Sequence, residues 1–373
     1  MKVLFTNFHS GSGGGHTTYT RELARALGTR HEVHVAAPAG STLLIEAGAL
    51  PHVQALAQPF PNGLHRLGQR RQAIRQLRAY LRAHRFDIVH VNGSADHRIT
   101  LSALRGVTPR PRVVLTKHNT KPMRGLQHVL RARRHTDKVI AVCEYVRRQL
   151  QATPYRVCHP QTVYNGVDTA HFRPWPPEAA AAERRRLGIA DDVLVIGSNA
   201  GTADYKGWTD LIAAVGLLAP AEQQRLHIVV AGAPPTPAQR AAVAAAGLAA
   251  PVHFPGLLRD VRPLIATLDA GFVLSHDVET ISFACREMMA MGKPVMVSDY
   301  AGLPENIRAG EDGWVVPVHG HQAMAAALRT MLRDPGRLPR MGEAARAHAL
   351  AEFGLERFVD ATEAIYRGLL VTR

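Results

Sequence analysis

The sequence predicts an α/β chain of two doubly wound domains, each a parallel sheet with helices on both faces. Three features of the 373 residues point there. Short, β-branched-rich apolar runs alternate with helical patterns from end to end. The runs are continuously apolar, as in strands buried on both faces, and a proline cluster divides them into two series of six.

In the first series, strands are expected over residues 3–7, 32–37, 87–92, 112–118, 138–143 and 161–164. In the second they are expected over 193–199, 227–231, 252–254, 271–275, 294–299 and 314–317. Between the series, Pro174-Trp175-Pro176-Pro177 continues neither strand nor helix, and a helix begins at Glu178. The expected domains are residues 1–172 and 173–354, with the C-terminal helix of 355–373 joining the first. Open parallel sheets bind ligands beyond the carboxyl ends of their strands, so a cleft between the domains is the expected site.

Composition narrows the class. Hydrophobic residues make up 46% and charged residues 20%, as in a globular chain. No apolar stretch reaches the roughly 18 residues that span a bilayer. The opening run Lys2-Val3-Leu4-Phe5-Thr6 is too short for a signal peptide, so a cytoplasmic chain is expected. Cys143, Cys158 and Cys285 lack metal-ligand spacing and read as reduced thiols.

The net charge of +15 is concentrated: residues 61–140 hold 18 Lys and Arg against Asp87, Asp96 and Asp137. Over residues 67–84, Leu67, Ile74, Leu77 and Leu81 form one helical stripe, and Arg71, Arg75, Arg78, Arg82 and Arg85 a second. Lys117, Lys121, Arg124, Arg131, Arg133 and Arg134 form a further basic cluster. One explanation is a solvated helix face; the other is an anionic membrane surface or a phosphorylated, lipid-linked acceptor. Nucleic acid is not expected, because the segment offers only Tyr80 and Phe86 for stacking and no reader motif.

The strongest chemical signal runs from Leu268 to Val316. A strand leads to Glu279, then a helix expected over residues 281–291 carries Glu287 about two turns in. Amides of Ile281, Ser282 and Phe283 at the helix start would bind phosphate. Glu279 and Glu287 would then grip a sugar and a ribose diol; a helix with an exposed glutamate at each end has the same pattern. Upstream, Gly13-Gly14-Gly15 follows the first strand and lets backbone approach a phosphate. His118 ends a strand at its carboxyl end.

Taken together, four segments resemble the retaining glycosyltransferases of family 4 over nearly the whole chain. They are Gly13–Gly15 with Arg21-Glu22-Leu23-Ala24-Arg25-Ala26-Leu27, the run 165–174 beginning Asn165-Gly166-Val167-Asp168, the run 279–297, and Gly302-Leu303-Pro304-Glu305 with Asp312-Gly313-Trp314. The resemblance implies a GT-B fold, two Rossmann-like domains facing each other across a cleft, and a nucleotide-sugar donor. A UDP-sugar is favoured, with GDP- and ADP-sugars as alternatives. It implies that Glu279 holds the donor sugar, Glu287 the ribose, and Lys206 the diphosphate. It also sets His118 against the donor sugar, Gly14 and Gly15 at the phosphate, and the backbone at Gly256 and Leu258 at the base. Many relatives carry an Arg where this chain has Gly201, with Arg286 a candidate to compensate.

No Asp-x-Asp occurs, so a metal-independent reaction with no cofactor is expected. The acceptor expected from the basic segment is a membrane glycolipid, lipopolysaccharide core or another surface glycan. The enzyme would attach peripherally to the inner face of the cytoplasmic membrane. The rivals are an enzyme with a small soluble acceptor, a non-catalytic nucleotide-sugar binder, and a two-carboxylate glycosidase.

Overall fold

A computed structural model of the chain describes residues 1–11, 14–63 and 66–371. Backbone contacts divide it into two units, Met1–Asn165 with Glu356–Arg373, and Gly166–Leu355.

The first unit is built on β1 (Lys2–Thr6), β2 (Glu32–Ala37), β3 (Val53–Ala57), β4 (Ile88–Val91), β5 (Arg112–Lys117), β6 (Lys138–Ala141) and β7 (Gln161–Thr162). The sheet is parallel throughout, in the order β3-β2-β1-β4-β5-β6-β7. The second unit carries β8 (Leu194–Ser198), β9 (Leu226–Val230), β10 (Val252–His253), β11 (Ala270–Val273), β12 (Val295–Ser298) and β13 (Gly313–Val316). Its order is β10-β9-β8-β11-β12-β13, again all parallel.

Each sheet reverses its winding once, between β1 and β4 in the first unit and between β8 and β11 in the second. At such a point the loops leaving neighbouring strands diverge and open a crevice at the carboxyl ends. The segments singled out from the sequence leave these strands or their neighbours.

Seven strands stand in the first unit where six were expected. The additional one, β3, pairs over five residues with β2, from Val33 and Val53 to Ala37 and Ala57. As an edge strand it is half exposed, and its Val-Gln-Ala-Leu-Ala sequence lacks the continuous apolar run of a doubly covered strand. On the helix Leu67–His84 the buried residues are Ala73, Leu77 and Leu81. Leu67 is 54% exposed, so the apolar stripe begins about two turns later than its spacing suggested. The C-terminal helix Leu355–Val371 carries Asp360 and Glu363, which bind Arg30 at 2.7 and 3.1 Å within the first unit.

In the second unit, Trp208 and Phe272 anchor a core filled by Met324, Leu328 and Met331 of the helix His321–Arg333. Arg286 is fully buried, with its guanidinium 4.0 Å from the Phe353 ring centroid and its Nε donating to Asn306 at 2.9 Å. It is therefore a core strut and not the compensating cation considered for Gly201.

Gly342, mid-helix in Arg337–Glu352, allows a backbone-to-backbone approach: a Cβ there would stand 2.1 Å from the Gly292 carbonyl oxygen. Alanine is the better helix former by about 1 kcal/mol, yet overpacking costs about 1–3 kcal/mol. Gly342→Ala is expected to destabilise the second unit by about 2 kcal/mol in urea unfolding. An unchanged or raised midpoint would show that the approach is not constrained.

Candidate functional site

In the second unit the loop after β8 runs through Asn199, Gly201 and Thr202 into a single 3-10 turn, Asp204–Lys206. Gly201 has φ +101°, a left-handed conformation that disfavours any side chain, although a Cβ would meet no neighbour. Thr202 is clamped from two sides, its hydroxyl donating to the Ala233 carbonyl at 2.5 Å and its carbonyl accepting from Trp208 Nε1 at 3.0 Å. Gln239 Nε2 donates to Asp204 at 2.6 Å.

The turn is seated on the end of β11. His276 N–H donates to the Tyr205 carbonyl at 2.9 Å, and His276 Nε2 lies 3.2 Å from the Asp204 carbonyl. Gly207 follows at φ +70°. This geometry brings Lys206 Nζ to 2.6 Å from Glu279 Oε2, with side chains 17% and 14% exposed. The lysine at a helix start thus has a carboxylate partner already. Eight residues on, Glu287 accepts from Asn199 Nδ2 at 2.6 Å. Asn199 was not singled out from the sequence; its position directly after β8, at the winding reversal, was the signal available.

The helix behind Glu279 begins later than expected. It spans Phe283–Ala290, and Ser282 is its N-cap, in extended conformation with Oγ accepting from Cys285 N–H at 3.4 Å. Ile281 is buried outside the helix. The amides without an intrahelical acceptor at its start are therefore led by Phe283 and Ala284 rather than Ile281, and Glu287 lies just over one turn in. The loop itself is strained: Val278, β-branched and 52% exposed, sits at φ +61° beside Glu279. No sequence pattern reveals such strain at a loop tip. Gly256, at φ +82° after β10, accepts from Gly232 N–H at 3.1 Å, and Leu258 is half-buried beyond it.

In the first unit, His118 directly follows β5 and is buried. Its Nε2 lies 2.9 Å from Asn92 Oδ1. Asn92 Nδ2 donates to the Thr6 carbonyl at 3.1 Å, which turns the amide oxygen toward the ring and makes Nε2 the protonated nitrogen of His118. Asp96 Oδ2 holds this corner, accepting from Asn92 N–H at 2.8 Å and the Thr6 hydroxyl at 2.9 Å. Gly14 is the N-cap of the helix Gly15–Gly28 at φ +145°; Gly13 lies outside the described residues. Two histidines not anticipated complete a ladder of rings, His9 to His16 at 4.4 Å and His16 to His118 at 4.3 Å. His9 Nε2 and His16 Nδ1 are buried without hydrogen-bond partners among the described residues.

These geometries sit within a chain that two family models match: Glycosyltransferase Family 4 over residues 13–171, and Glycosyl transferases group 1 over residues 190–334. The first match covers most of the first unit and the second most of the second unit. The corynebacterial "GDP-mannose-dependent monoacylated alpha-(1-6)-phosphatidylinositol monomannoside mannosyltransferase" from Corynebacterium glutamicum is 31% identical over 202 residues, 52% of each chain. The chain thus spans about half the length of this curated relative. Its fold matches a Rickettsia africae glycosyltransferase at TM-score 0.86, with 19% identity over 99% of this chain and 98% of that one. It also matches Anabaena HepE in complex with UDP-glucose at TM-score 0.82, with 20% identity over the full length of both. The fold is GT-B, with two Rossmann-like units.

Burial pulls the pKa values of His16, His90 and His97 down to about 3, and that of His118 well below the ordinary imidazole value. Below pH about 6.5 the unfolded chain takes up protons that these folded rings refuse. Their stabilisation is therefore present above that pH and lost as pH falls toward the folded values. Asp96 acts in the opposite sense: burial lifts it to about 7, so it takes its proton earlier in the folded chain and offsets one histidine. At about 1.4 kcal/mol per pH unit for each net proton, the first unit is expected to lose several kcal/mol between pH 6.5 and 5. Urea midpoints across that range test this, and a flat profile would contradict neutral burial of the ladder.

Proposed function

We propose that this chain is a family 4 glycosyltransferase, moving a sugar from a nucleotide-diphosphate sugar to a hydroxyl of a membrane-associated, phosphate-bearing glycan, with retained anomeric configuration and no metal ion. The observation that carries the donor half is the Lys206–Glu279 pair at the winding reversal of the second unit, flanked by Asn199–Glu287. Such a pair is a preformed charge relay for an anionic ligand. A diphosphate exchanges for Glu279 on Lys206, and the displaced carboxylate turns to the hydroxyls of the donor sugar.

Glu287 then takes the ribose diol, and the backbone near Gly256 and Leu258 takes the base. Amides at Ser282, Phe283 and Ala284, together with Gly14 and Gly15, serve the phosphates. Ile281 packs behind them. His118, kept neutral by burial, binds or orients the donor sugar. As the bond from the anomeric carbon to phosphate breaks, the acceptor oxygen bonds to that carbon on the same face. Its proton passes to the departing phosphate oxygen, so no protein base is required. Lys206 balances the charge that develops on the diphosphate.

A UDP-sugar is the first donor to test. The GDP-mannose in the corynebacterial relative's name puts a GDP-sugar beside it. That name also specifies a phosphatidylinositol-linked acceptor, which supports a lipid-anchored glycan; lipopolysaccharide core is another of that class. Among the described residues no helix is long and apolar enough to cross a membrane. The proposed place of action is the cytoplasmic face of a membrane, reached by peripheral attachment.

With a radiolabelled donor and a lipid-linked acceptor, Lys206→Ala and Glu279→Gln are each expected to lower kcat about 10²–10³-fold with unchanged circular dichroism. Chelation by EDTA is expected to leave turnover intact. Wild-type turnover by Glu279→Gln would sink the assignment.

A further inference from the structure

In the first unit, a groove between the helices Ser94–Ala103 and Leu126–His135 encloses about 300 Å³ and is lined by Arg98, Arg105, Arg131 and Arg134. No carboxylate lines it. The three acids of the basic segment are engaged elsewhere. Asp87 accepts from Lys2 N–H at 2.8 Å, Asp96 is buried against Thr6 and Asn92, and Asp137 pairs with Arg112 at 3.2 Å.

The arginines therefore face one another. Burial, followed by the neighbouring charges of Arg70 and Arg131, lowers the pKa of Arg98. The buried Nε atoms of Arg70 and Arg98 have no hydrogen-bond partner among the described residues. The bonds these guanidinium groups do make go to neutral groups: Arg98 to the Asn62 amide at 2.7 Å, and Arg131 to the Gln127 amide at 3.1 Å and to the Tyr155 hydroxyl. Clustered guanidinium groups with idle donors cost free energy unless an anion with several acceptor oxygens joins them, and phosphate matches their forked geometry.

The surroundings indicate what carries that phosphate. Leu126 is 74% exposed and Leu130 44% exposed, on the same helix as Arg131 and Arg134. A soluble phosphate would leave both leucines in water, whereas a head-group layer receives arginines and leucines from one face together. We propose that this groove docks the phosphate head groups of an anionic phospholipid leaflet, with Leu126 and Leu130 entering the acyl boundary. The proposal rests on the membrane half of the function above and is independent of the donor half.

The test uses the full chain without donor. It is co-sedimented with phosphatidylcholine vesicles containing about 30% phosphatidylglycerol, at about 0.15 M salt. Arg98→Ala/Arg131→Ala is expected to weaken binding about thirtyfold, at about 1 kcal/mol per charge removed. Arg105→Ala/Arg134→Ala, on exposed side chains, is expected to do the same and keeps the test open if the first pair misfolds. Leu126→Ser/Leu130→Ser is expected to weaken binding while leaving the charge intact. Arg185→Ala/Arg186→Ala, with equal charge loss on the second unit, is expected to bind as wild type. Equal losses in that control would overturn the groove as the site. Displacement of the vesicles by millimolar inorganic phosphate, with the leucine variant unaffected, would overturn the lipid and leave a soluble anion.

Discussion

Where a Cβ of Gly207 would stand, 2.0 Å away, lies the carbonyl oxygen of Leu274. This close approach lets the turn after β8 rest on the end of β11, and the rest of the candidate donor site follows from it. Seated there, the Asp204–Lys206 turn accepts a backbone hydrogen bond from His276 at the Tyr205 carbonyl and delivers Lys206 to Glu279. Gly232 performs a similar service on the other side, since its Cβ would lie 2.6 Å from Thr202 N. The residue at 201 gains a physical explanation in the same terms. At φ +101° the loop takes a path suited to glycine, and a long cationic side chain there would demand another path. The charge that such an arginine would bring is absent from this loop, which leaves Lys206 as the cation facing Glu279.

The first unit positions its groups by different means. Its switch point is crowded with imidazoles that burial keeps neutral, and neutral rings are useful as directed donors and acceptors rather than as charges. Asp96 is the anchor of that arrangement. One carboxylate oxygen joins the ends of β1 and β4, the amide of Asn92 follows in a single orientation, and the tautomer of His118 follows from the amide. The Asp96–Asn92 link is local, four residues apart, while the bonds of Thr6 to Asp96 and of His118 to Asn92 span 90 and 26 residues and are brought together by parallel strand order.

Cationic side chains are not equivalent across the molecule. A cavity of about 730 Å³ at the amino ends of the strands in the second unit is also lined by arginines and a lysine. There the cations are spent on helix ends. Arg184 donates to the Thr267 carbonyl, Lys293 to Ala266 and Leu268, Arg225 to Leu332, and Arg346 to Ala290. Carbonyls at helix C-termini carry partial negative charge and need such donors, so that cavity is a by-product of capping. The arginine groove of the first unit has no equivalent acceptors, and this difference in satisfaction, not in charge count, separates the two.

Among the described residues, twelve of the thirteen strands could be read from their runs in the sequence, most of them because a strand covered on both faces advertises its burial at every residue. The edge strand Val53–Ala57 could not, since half of it faces outward. Residue types and spacing were enough to single out Glu279, Glu287 and His118, and the family resemblance added Lys206; each lies beyond a strand or on the helix that follows. They were not enough to pair them. The Lys206–Glu279 contact spans 73 residues and the Asn199–Glu287 contact 88, and strand order alone sets such distances. The helix start at Phe283 was settled by the extended backbone of Ser282 and its cap on Cys285. Burial decided Arg286, because a guanidinium looks the same in sequence whether it meets a phosphate or an aromatic ring. The sequence by itself determined which residues are chemically able; tertiary structure decided which of them meet, because contacts across a parallel sheet are made between strands distant along the chain.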